Sequence, residues 1–181
     1  MKRLLLVIDY QYDFVADDGL LTAGQAAQAI EGALLRRIQD YREAGDDVLC
    51  TLDTHAADSW GQSHPEGRKF PLHCTENSPG WQLYGQLAGL GLETLTKTTY
   101  MLDQADLDWL VRQYELIELA GLTTDICVLQ NAIGLYNHAV NQDLAVSFQV
   151  AADCVASFDP AGHQYALDYL QRILGFKILN A

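Results

Sequence analysis

The chain has 181 residues, a length that fits one globular domain, and we take residues 1–181 as that domain. Apolar residues make up 49% and charged residues 19% of it, which is ordinary globular composition and argues against a disordered or fibrous protein. The net charge is −13 and the basic residues form no cluster, so nucleic acid is not expected as a partner.

The N-terminal segment MKRLLLVIDYQYDF has two basic residues and an apolar stretch, as a targeting peptide does. Its apolar stretch soon meets an acidic residue and no small-residue cleavage site follows, so the segment is predicted to be a strand. No apolar segment in the chain approaches the roughly 18 residues that a membrane span requires. We therefore expect a cytoplasmic protein that does not engage a membrane.

Short apolar runs alternate with segments of helical periodicity. The runs predict buried parallel strands at residues 3–9, 47–53, 115–121 and 145–151, with weaker candidates at 94–98 and 177–179. Helical spacing of apolar residues predicts helices at 25–43, 107–114, 126–139 and 163–174, the last preceded by the start signal Asp159-Pro160. This order predicts an α/β fold, a three-layer sandwich whose mostly parallel sheet has about six strands with helices on both faces.

One long irregular stretch, residues 54–79, separates the second strand from the next element. It is rich in Gly, Pro, His and Ser, and a loop of this length in a compact domain is usually functional. In such folds the functional side chains gather at the carboxyl ends of the strands. Residues at those ends and in this loop are therefore the first candidates for a site.

The four cysteines are scattered along the chain without a CxxC pair, which argues against a zinc ribbon or a disulfide framework. Cys50 and Cys154 lie in apolar, strand-like runs and are predicted to be buried. Cys127 lies where a strand gives way to a helix, and a helix N-terminus can lower a thiol pKa and hold an oxyanion. By itself this position leaves a catalytic thiol and a buried structural thiol equally open.

Two charged residues at strand ends could complete a catalytic set with Cys127. Asp9 ends the first strand, where an acid can accept a proton or can cap the segment that follows. Lys97 ends another predicted strand; alone it would be read as an exposed lysine, but near Asp9 and Cys127 it would favour both the carboxylate and the thiolate. Asp13 and Asp17, further along, are expected to be solvated.

Candidate metal ligands follow the second strand. Asp53 and His55 stand two residues apart in LDTH, and His64, Glu66 and His73 follow in HPEGRKFPLH. Imidazole and carboxylate ligands without an obvious thiolate suit zinc, iron or manganese in a catalytic or substrate-holding site. Histidines in loops are more often unliganded, but this density of ligands favours a divalent metal ion.

Four motifs cover most of the chain: VIDYQYDFVADDGLLTAG, LDTHAADSW with HPEGRKFPLHC, KTTY, and GLTTDICVLQNAI. In their combination and order the sequence resembles the isochorismatase-like cysteine hydrolases, and among them the bacterial nicotinamidases. The resemblance implies that Asp9, Lys97 and Cys127 are the family's triad. It further implies that Cys127 attacks the carboxamide of nicotinamide, and that water cleaves the resulting thioester to nicotinate.

The resemblance also implies an oxyanion hole and a metal centre. The family's cis peptide would fall between Leu122 and Thr123, at a cost of about 3 to 4 kcal/mol without a proline, and the N–H groups of Thr123 and Cys127 would bind the oxyanion. The family's metal ligands fall on Asp53, His55, Glu66 and His73, with His64 left open as the third ligand instead of Glu66. The metal, zinc first and iron or manganese next, would hold the pyridine nitrogen.

Three aromatic residues are candidates for the walls around the pyridine ring. Phe14 and Tyr100 match positions that bound the ring in the family, and Trp60 in the loop could add a third wall. Packing into the core is an equal alternative for all three. An enzyme of this kind acts in NAD salvage and pyridine nucleotide biosynthesis, with nicotinamide as its small-molecule partner.

Other functions stay open at the level of sequence. Within the same fold, the alternative is an amidase for another small amide or a ureido compound. The α/β pattern alone would also permit a flavodoxin-like or nucleotide-binding module, although neither GxGxxG nor a P-loop is present, and a metal-storage or scaffold protein is a third reading. The sequence leaves open the native metal, the substrate range and whether the protein forms a homo-oligomer.

Overall fold

A parallel sheet lies at the centre of the protein, in a computed structural model that describes residues 2–61 and 63–179. Within those residues its six strands stand in the order β3-β2-β1-β4-β5-β6, and each neighbouring pair is parallel. The strands are β1 (Arg3–Ile8), β2 (Asp47–Asp53), β3 (Glu93–Lys97), β4 (Leu116–Leu122), β5 (Ser147–Ala156) and β6 (Lys177–Leu179). The predicted α/β fold is confirmed, including the two weaker strands.

Helices cover both faces of this sheet. They are α1 (Tyr12–Val15), α2 (Gln25–Ala29), α3 (Glu31–Glu43), α4 (Gln104–Gln113), α5 (Leu129–Asn141) and α6 (Pro160–Arg172). A π-helical turn, Thr124–Val128, leads into α5, and the β2–β3 connection contains short 3-10 helices at Pro65–Arg68, Pro79–Trp81 and Gly85–Gly89. In the part of the chain that the structure describes, no helix combines the length and apolarity needed to cross a membrane.

The core has two halves because successive side chains of a strand point to opposite faces. On β1, Leu4, Leu6 and Ile8 pack with buried residues of α4, α5 and α6. Leu5 and Val7 instead pack with residues of α1, α2 and α3 on the other face. Both faces are therefore apolar and covered, which explains why the strand sequences read as continuous apolar runs.

The strand order reverses between β1 and β4, because β2 and β3 lie on one side of this pair and β5 and β6 on the other. Ligands of open α/β sheets bind outside the carboxyl ends of the strands at such a topological switch point. The two strands end side by side, with Ile8 paired to Gly121. Gly121 has φ +101°, and a Cβ there would lie 2.1 Å from the Ile8 carbonyl oxygen, so only glycine fits. The segments that follow β1 and β4 consequently leave the sheet next to each other.

Most element ends differ from the sequence-based prediction by a few residues, and two elements differ further. The helix predicted at 25–43 is wrong as one unit, since Ile30 interrupts it and separates α2 from α3. Apolar spacing does not distinguish one long helix from two short ones on the same surface. Strand β5 extends past the predicted 145–151 because its register against β4 shifts after Val150, where a bulge adds residues to β5.

Candidate active site

Asp9, Lys97 and Cys127 lie together at the carboxyl edge of the sheet. Asp9 follows β1, Lys97 ends β3, and Cys127 lies in the π-helical turn after β4. The Lys97 Nζ is 2.7 Å from Asp9 Oδ2 and 3.8 Å from Cys127 Sγ. All three residues are buried. The structure thus brings together the acid, the base and the thiol that the sequence singled out at separate strand ends.

The backbone of Asp9 is held in an unusual conformation. Its φ is +47°, which is uncommon for a residue other than glycine and costs free energy that the surrounding structure must supply. Thr51 on β2 contributes to this, because its hydroxyl donates to Asp9 Oδ1 at 2.6 Å and accepts from the Asp9 N–H at 3.2 Å. One Asp9 oxygen is therefore fixed by Thr51 while the other contacts Lys97.

Lys97 is buried, and neighbouring acidic groups compensate its positive charge. Besides Asp9, its Nζ lies 3.1 Å from Asp53 Oδ1 and donates to the Thr99 carbonyl at 3.0 Å. Burial acts to lower the pKa of Lys97, but Asp9, Cys127 and Asp53 outweigh it and raise that pKa well above its usual value. The ammonium is therefore a permanent positive charge in the site.

The Cys127 thiol is stabilised as a neutral group. Burial raises the pKa of Cys127 well above its ordinary value, Lys97 lowers it in part, and Asp9 raises it again. Burial beside a carboxylate therefore outweighs the helix start, whose local effect is to lower a thiol pKa. Burial also raises the pKa of Asp9, against the opposing charge of Lys97. A neutral thiol thus faces a carboxylate of increased basicity, which suits proton transfer between them.

A second group of side chains lies on the other side of Lys97. Ligand atoms of Asp53, His55 and His73 lie within 4.8 Å of one another, and all three residues are buried. Asp53 Oδ2 is 2.9 Å from His55 Nε2 and 3.3 Å from His73 Nε2. One carboxylate and two imidazoles form a set that zinc, iron or manganese accepts. The group therefore fits a divalent metal ion.

The electrostatics of Asp53 and His73 agree with such a site. Burial would raise the pKa of Asp53, but Lys97 and the hydrogen bonds from His55 and His73 hold it well below the usual range. The His73 Nδ1–H donates to the Pro71 carbonyl at 2.9 Å, which leaves Nε2 to face Asp53. A metal-ligating histidine commonly has its second nitrogen bound in this way.

His64 and Glu66 are near the Asp53 group but outside it. His64 Nε2 donates to the Thr98 carbonyl at 2.9 Å, and its buried Nδ1 has no hydrogen-bond partner among the described residues. Glu66 lines the adjoining cavity, and burial followed by the charge of Asp53 raises its pKa. Which of the two serves as a further ligand stays a prediction.

A cavity of about 460 Å³, counted with its open mouth, adjoins both groups. Phe14, Thr123 and Tyr100 line it together with Cys127, as do several residues that the sequence did not indicate: Leu21, Phe70, Leu122, Ile126 and Phe158. The lining is mostly apolar, with a few polar groups converging near the sulfur.

Trp60 has a different position from the other two predicted ring contacts. It is not among the residues that line the cavity. Its ring stacks on His64 with centroids 4.9 Å apart and lies 4.5 Å from His55, while its Nε1–H donates to the Phe70 carbonyl at 3.3 Å. Trp60 therefore covers the histidine group and is not one of the cavity walls.

The backbone before Cys127 differs from the expectation for the oxyanion hole, whose assignment to the N–H groups of Thr123 and Cys127 stays a prediction. The described residues contain no cis peptide bond, so the Leu122–Thr123 bond is trans and the cis prediction is wrong. The trans form is the lower-energy form for a residue pair without proline. After it, the Thr123 carbonyl accepts from the Val128 N–H at 3.1 Å, a bond that spans the π-helical turn around Cys127. Such turns are frequent at functional sites.

Comparison with known proteins shows the family of this chain. The sequence model of the isochorismatase domain matches residues 3–178. The chain belongs to the isochorismatase family. The predicted family resemblance is thereby confirmed.

Two relatives cover most of this isochorismatase domain. It is 35% identical to the "uncharacterized isochorismatase family protein PncA" of Bacillus subtilis, over 98% of this chain and 99% of that protein. It is 30% identical to the nicotinamidase/pyrazinamidase of Mycobacterium tuberculosis, over 72% of this chain and 76% of the relative.

Solved structures of similar sequence have the same architecture. The crystal structure of nicotinamidase/pyrazinamidase PncA from Bacillus subtilis superposes with a TM-score of 0.87 at 35% identity, covering 99% of this chain and 100% of that one. The pyrazinamidase/nicotinamidase from Streptococcus mutans gives a TM-score of 0.85 at 36% identity, covering 98% and 100%. The isochorismatase domain described above is therefore shared over its full length with these proteins.

Two buried residues that support this site in the isochorismatase domain were missed by sequence reasoning. The Gln11 side chain accepts the Asp53 N–H at 2.8 Å and donates to the Asp53 carbonyl at 2.9 Å. Asp13, which was expected to be solvated, is buried and accepts the Cys74 N–H at 2.7 Å. These contacts fix the backbone at Asp53 and next to His73. The only sequence signal for the burial of Gln11 and Asp13 was their position in YQYDF, where they alternate with aromatic residues.

Proposed function

We propose that this protein is a nicotinamidase that hydrolyses nicotinamide to nicotinate and ammonia through a thioester on Cys127. The observation that carries the proposal is the buried Cys127 thiol, 3.8 Å from a lysine that pairs with Asp9, in the wall of a small apolar cavity. Relatives and solved structures named nicotinamidase, at 30% to 36% identity, support the choice of substrate.

In the proposed reaction Asp9 takes the proton of the Cys127 thiol as the sulfur attacks the amide carbon. The carbon–nitrogen bond breaks when Asp9 returns that proton to the nitrogen, and ammonia leaves. Water then adds to the thioester carbon, which releases nicotinate and restores the thiol. Lys97 stays protonated throughout because its pKa is raised, and its charge favours the thiolate as it forms.

The Asp53, His55 and His73 group would hold a divalent ion, zinc first, with iron or manganese suited to the same ligands, and Glu66 or His64 would add a further ligand. The bound ion would supply a Lewis-acidic anchor for the pyridine nitrogen. His73 lines the same cavity as Cys127. A pyridine ring in that cavity could therefore have its nitrogen near the ion and its carboxamide near the sulfur.

The apolar walls of the cavity would hold the pyridine ring. Phe14 and Tyr100 line it, and the Phe14 ring lies 5.3 Å from the His73 ring. An aromatic pocket with few polar groups suits a flat, neutral heterocycle. The product would enter NAD salvage and pyridine nucleotide biosynthesis, and we expect the protein to act in the cytoplasm.

Ammonia release from nicotinamide tests the proposal directly. Metal-loaded protein should release ammonia, Cys127→Ala should release none, and a chelator should raise KM because the ring anchor is removed. Cys154→Ala, which alters a buried thiol outside the site, is the matched control and should remain active. No ammonia from nicotinamide with the metal-loaded protein would refute the assignment, and release from ureido compounds instead would favour the alternative amidase.

A further inference from the structure

The side chain of Thr123 has an unsatisfied hydrogen-bonding group at the reaction site. Its Oγ1 is buried and has no hydrogen-bond partner in the described part of the chain, and the residue is 9% exposed. A buried hydroxyl without a partner is unfavourable, and native proteins rarely keep one without a reason. Because Thr123 lines the cavity that contains Cys127, a bound ligand can supply the partner.

The position of Thr123 places it next to the turn that contains the nucleophile. Thr123 is the N-cap of the π-helical turn in which Cys127 lies, and both residues line the same cavity. The Thr123 carbonyl anchors the turn by accepting from the N–H groups of Ile126 and Val128, both at 3.1 Å. The backbone of Thr123 is thus bound to the turn that carries the sulfur.

The charges around the sulfur decide which substrate atom the hydroxyl meets. The leaving nitrogen must face Asp9 to receive its proton, while the carbonyl oxygen, as it gains negative charge, is repelled by that carboxylate. Asp53 and Glu66, which also line the cavity, are acidic too. Two neutral hydroxyl side chains line the cavity, Thr123 and Tyr100, and Thr123 is the one that caps the turn containing Cys127.

We propose that the Thr123 hydroxyl donates a hydrogen bond to the substrate's carbonyl oxygen and to the oxyanion formed when Cys127 attacks. This inference rests on the proposed function, and it adds a side-chain donor to the backbone donors of Thr123 and Cys127. A donor aimed at developing charge stabilises the transition state more than the bound substrate. Its loss therefore lowers kcat more than it raises KM.

Steady-state kinetics of three variants test the role of the hydroxyl. Thr123→Val replaces the hydroxyl by a methyl group and keeps the shape of the side chain. Thr123→Ala removes the hydroxyl together with the γ-methyl group, and Thr123→Ser keeps the hydroxyl. We expect Val and Ala to lower kcat for nicotinamide by about tenfold to a hundredfold, with KM within about threefold of the wild type. Thr123→Ser should restore most of the loss. Thermal unfolding of each variant separates this effect from damage to the fold.

A second probe does not require turnover. Pyridine-3-carbaldehyde adds to a thiol: the carbon–sulfur bond forms, the carbonyl double bond opens onto oxygen, and the thiol proton passes to Asp9. Its dissociation constant, measured by titration calorimetry, should rise in the Val and Ala variants by about the same factor as kcat/KM for nicotinamide falls. Wild-type values of kcat and of the aldehyde constant in folded Val and Ala variants would overturn the proposal.

The nicotinamidase assignment and the role of the Thr123 hydroxyl can be refuted independently of each other. If the wild type releases no ammonia from nicotinamide, the substrate assignment fails, while aldehyde binding still reports on the hydroxyl because it requires only the thiol and a carbonyl oxygen. If the wild type is active and the hydroxyl variants match it, the inference about Thr123 fails and the nicotinamidase assignment stands.

Discussion

Replacing Asp9 by asparagine should make the Cys127 thiol ionise at lower pH while nearly abolishing turnover. Asp9 is one of the groups that raise the pKa of Cys127, and Lys97 is the group that lowers it. The asparagine side chain would lack the negative charge but keep an oxygen to accept the Thr51 hydroxyl. Lys97 would keep Asp53 at 3.1 Å and the Thr99 carbonyl at 3.0 Å, so the fold should tolerate the change.

The attraction between the ammonium and the sulfur, which Asp9 offsets in the wild type, sets the upper limit of this effect. At 3.8 Å, and with an effective dielectric constant of about 20, one positive charge stabilises a thiolate by about 4 kcal/mol. The remaining carboxylate of Asp53 opposes part of this attraction, so we expect the pKa of Cys127 to fall by less than the full attraction would produce.

Alkylation by iodoacetamide as a function of pH measures this shift. The midpoint for Cys127 should lie at lower pH in Asp9→Asn than in the wild type, and mass spectrometry of peptides assigns the label. Cys50 and Cys154 should stay unlabelled because burial raises the pKa of each to about 12. Turnover in the same variant should fall by about a hundredfold to ten-thousandfold, since the proton acceptor is lost.

An unchanged midpoint, or a shift to higher pH, would refute the electrostatic reasoning. It would mean that Asp9 does not hold the thiol neutral in the folded protein. Retained turnover with a shifted midpoint would instead contradict the role of Asp9 as proton acceptor. The two measurements on one variant therefore test the charge distribution and the mechanism independently.

Three further substitutions test the supports of the site. Arg37→Ala should cost about 3 to 5 kcal/mol in urea unfolding, because Arg37 binds both oxygens of the fully buried Glu118 at 2.5 and 2.6 Å. Gln11→Leu should weaken metal binding by about tenfold to a hundredfold in chelator competition, since it frees the Asp53 backbone. Gly121→Ala should cost more than about 4 kcal/mol and abolish a folded circular-dichroism spectrum, because its Cβ would meet a β1 carbonyl at 2.1 Å. Wild-type values in these assays would count against the contacts invoked.

Much of the fold was predictable because its signals are local. Strands buried on both faces read as apolar runs, and the rule that side chains meet at the carboxyl ends of parallel strands brought Asp9, Lys97 and Cys127 together before any coordinates were known. Asp159 before Pro160 also marks the start of α6, where its side chain accepts the Ala161 N–H at 3.0 Å. Each of these inferences needs only a few neighbouring residues and one general rule of packing.

The failures arise where distant segments determine the environment. Asp13 is an acidic residue and was expected to be solvated, but the Cys74 N–H, 61 residues further along, gives it a buried partner. The thiol pKa was predicted from a helix start, and the tertiary burial of Cys127 overrode that local effect. Thr51 looks like an ordinary strand residue until the fold places its hydroxyl on Asp9. None of these contacts has a periodic signature in the sequence.

Lys97 explains why a nucleophile and a metal-ligand group can be built so close together. Its ammonium contacts Asp9 on the thiol side and Asp53 on the histidine side, so one buried positive charge compensates two buried carboxylates. Burying either carboxylate without it would be costly. The compensation is incomplete, because two negative charges against one positive charge leave a net charge of −1. This excess of negative charge attracts a cation, so the charge around Lys97 favours metal binding by Asp53, His55 and His73.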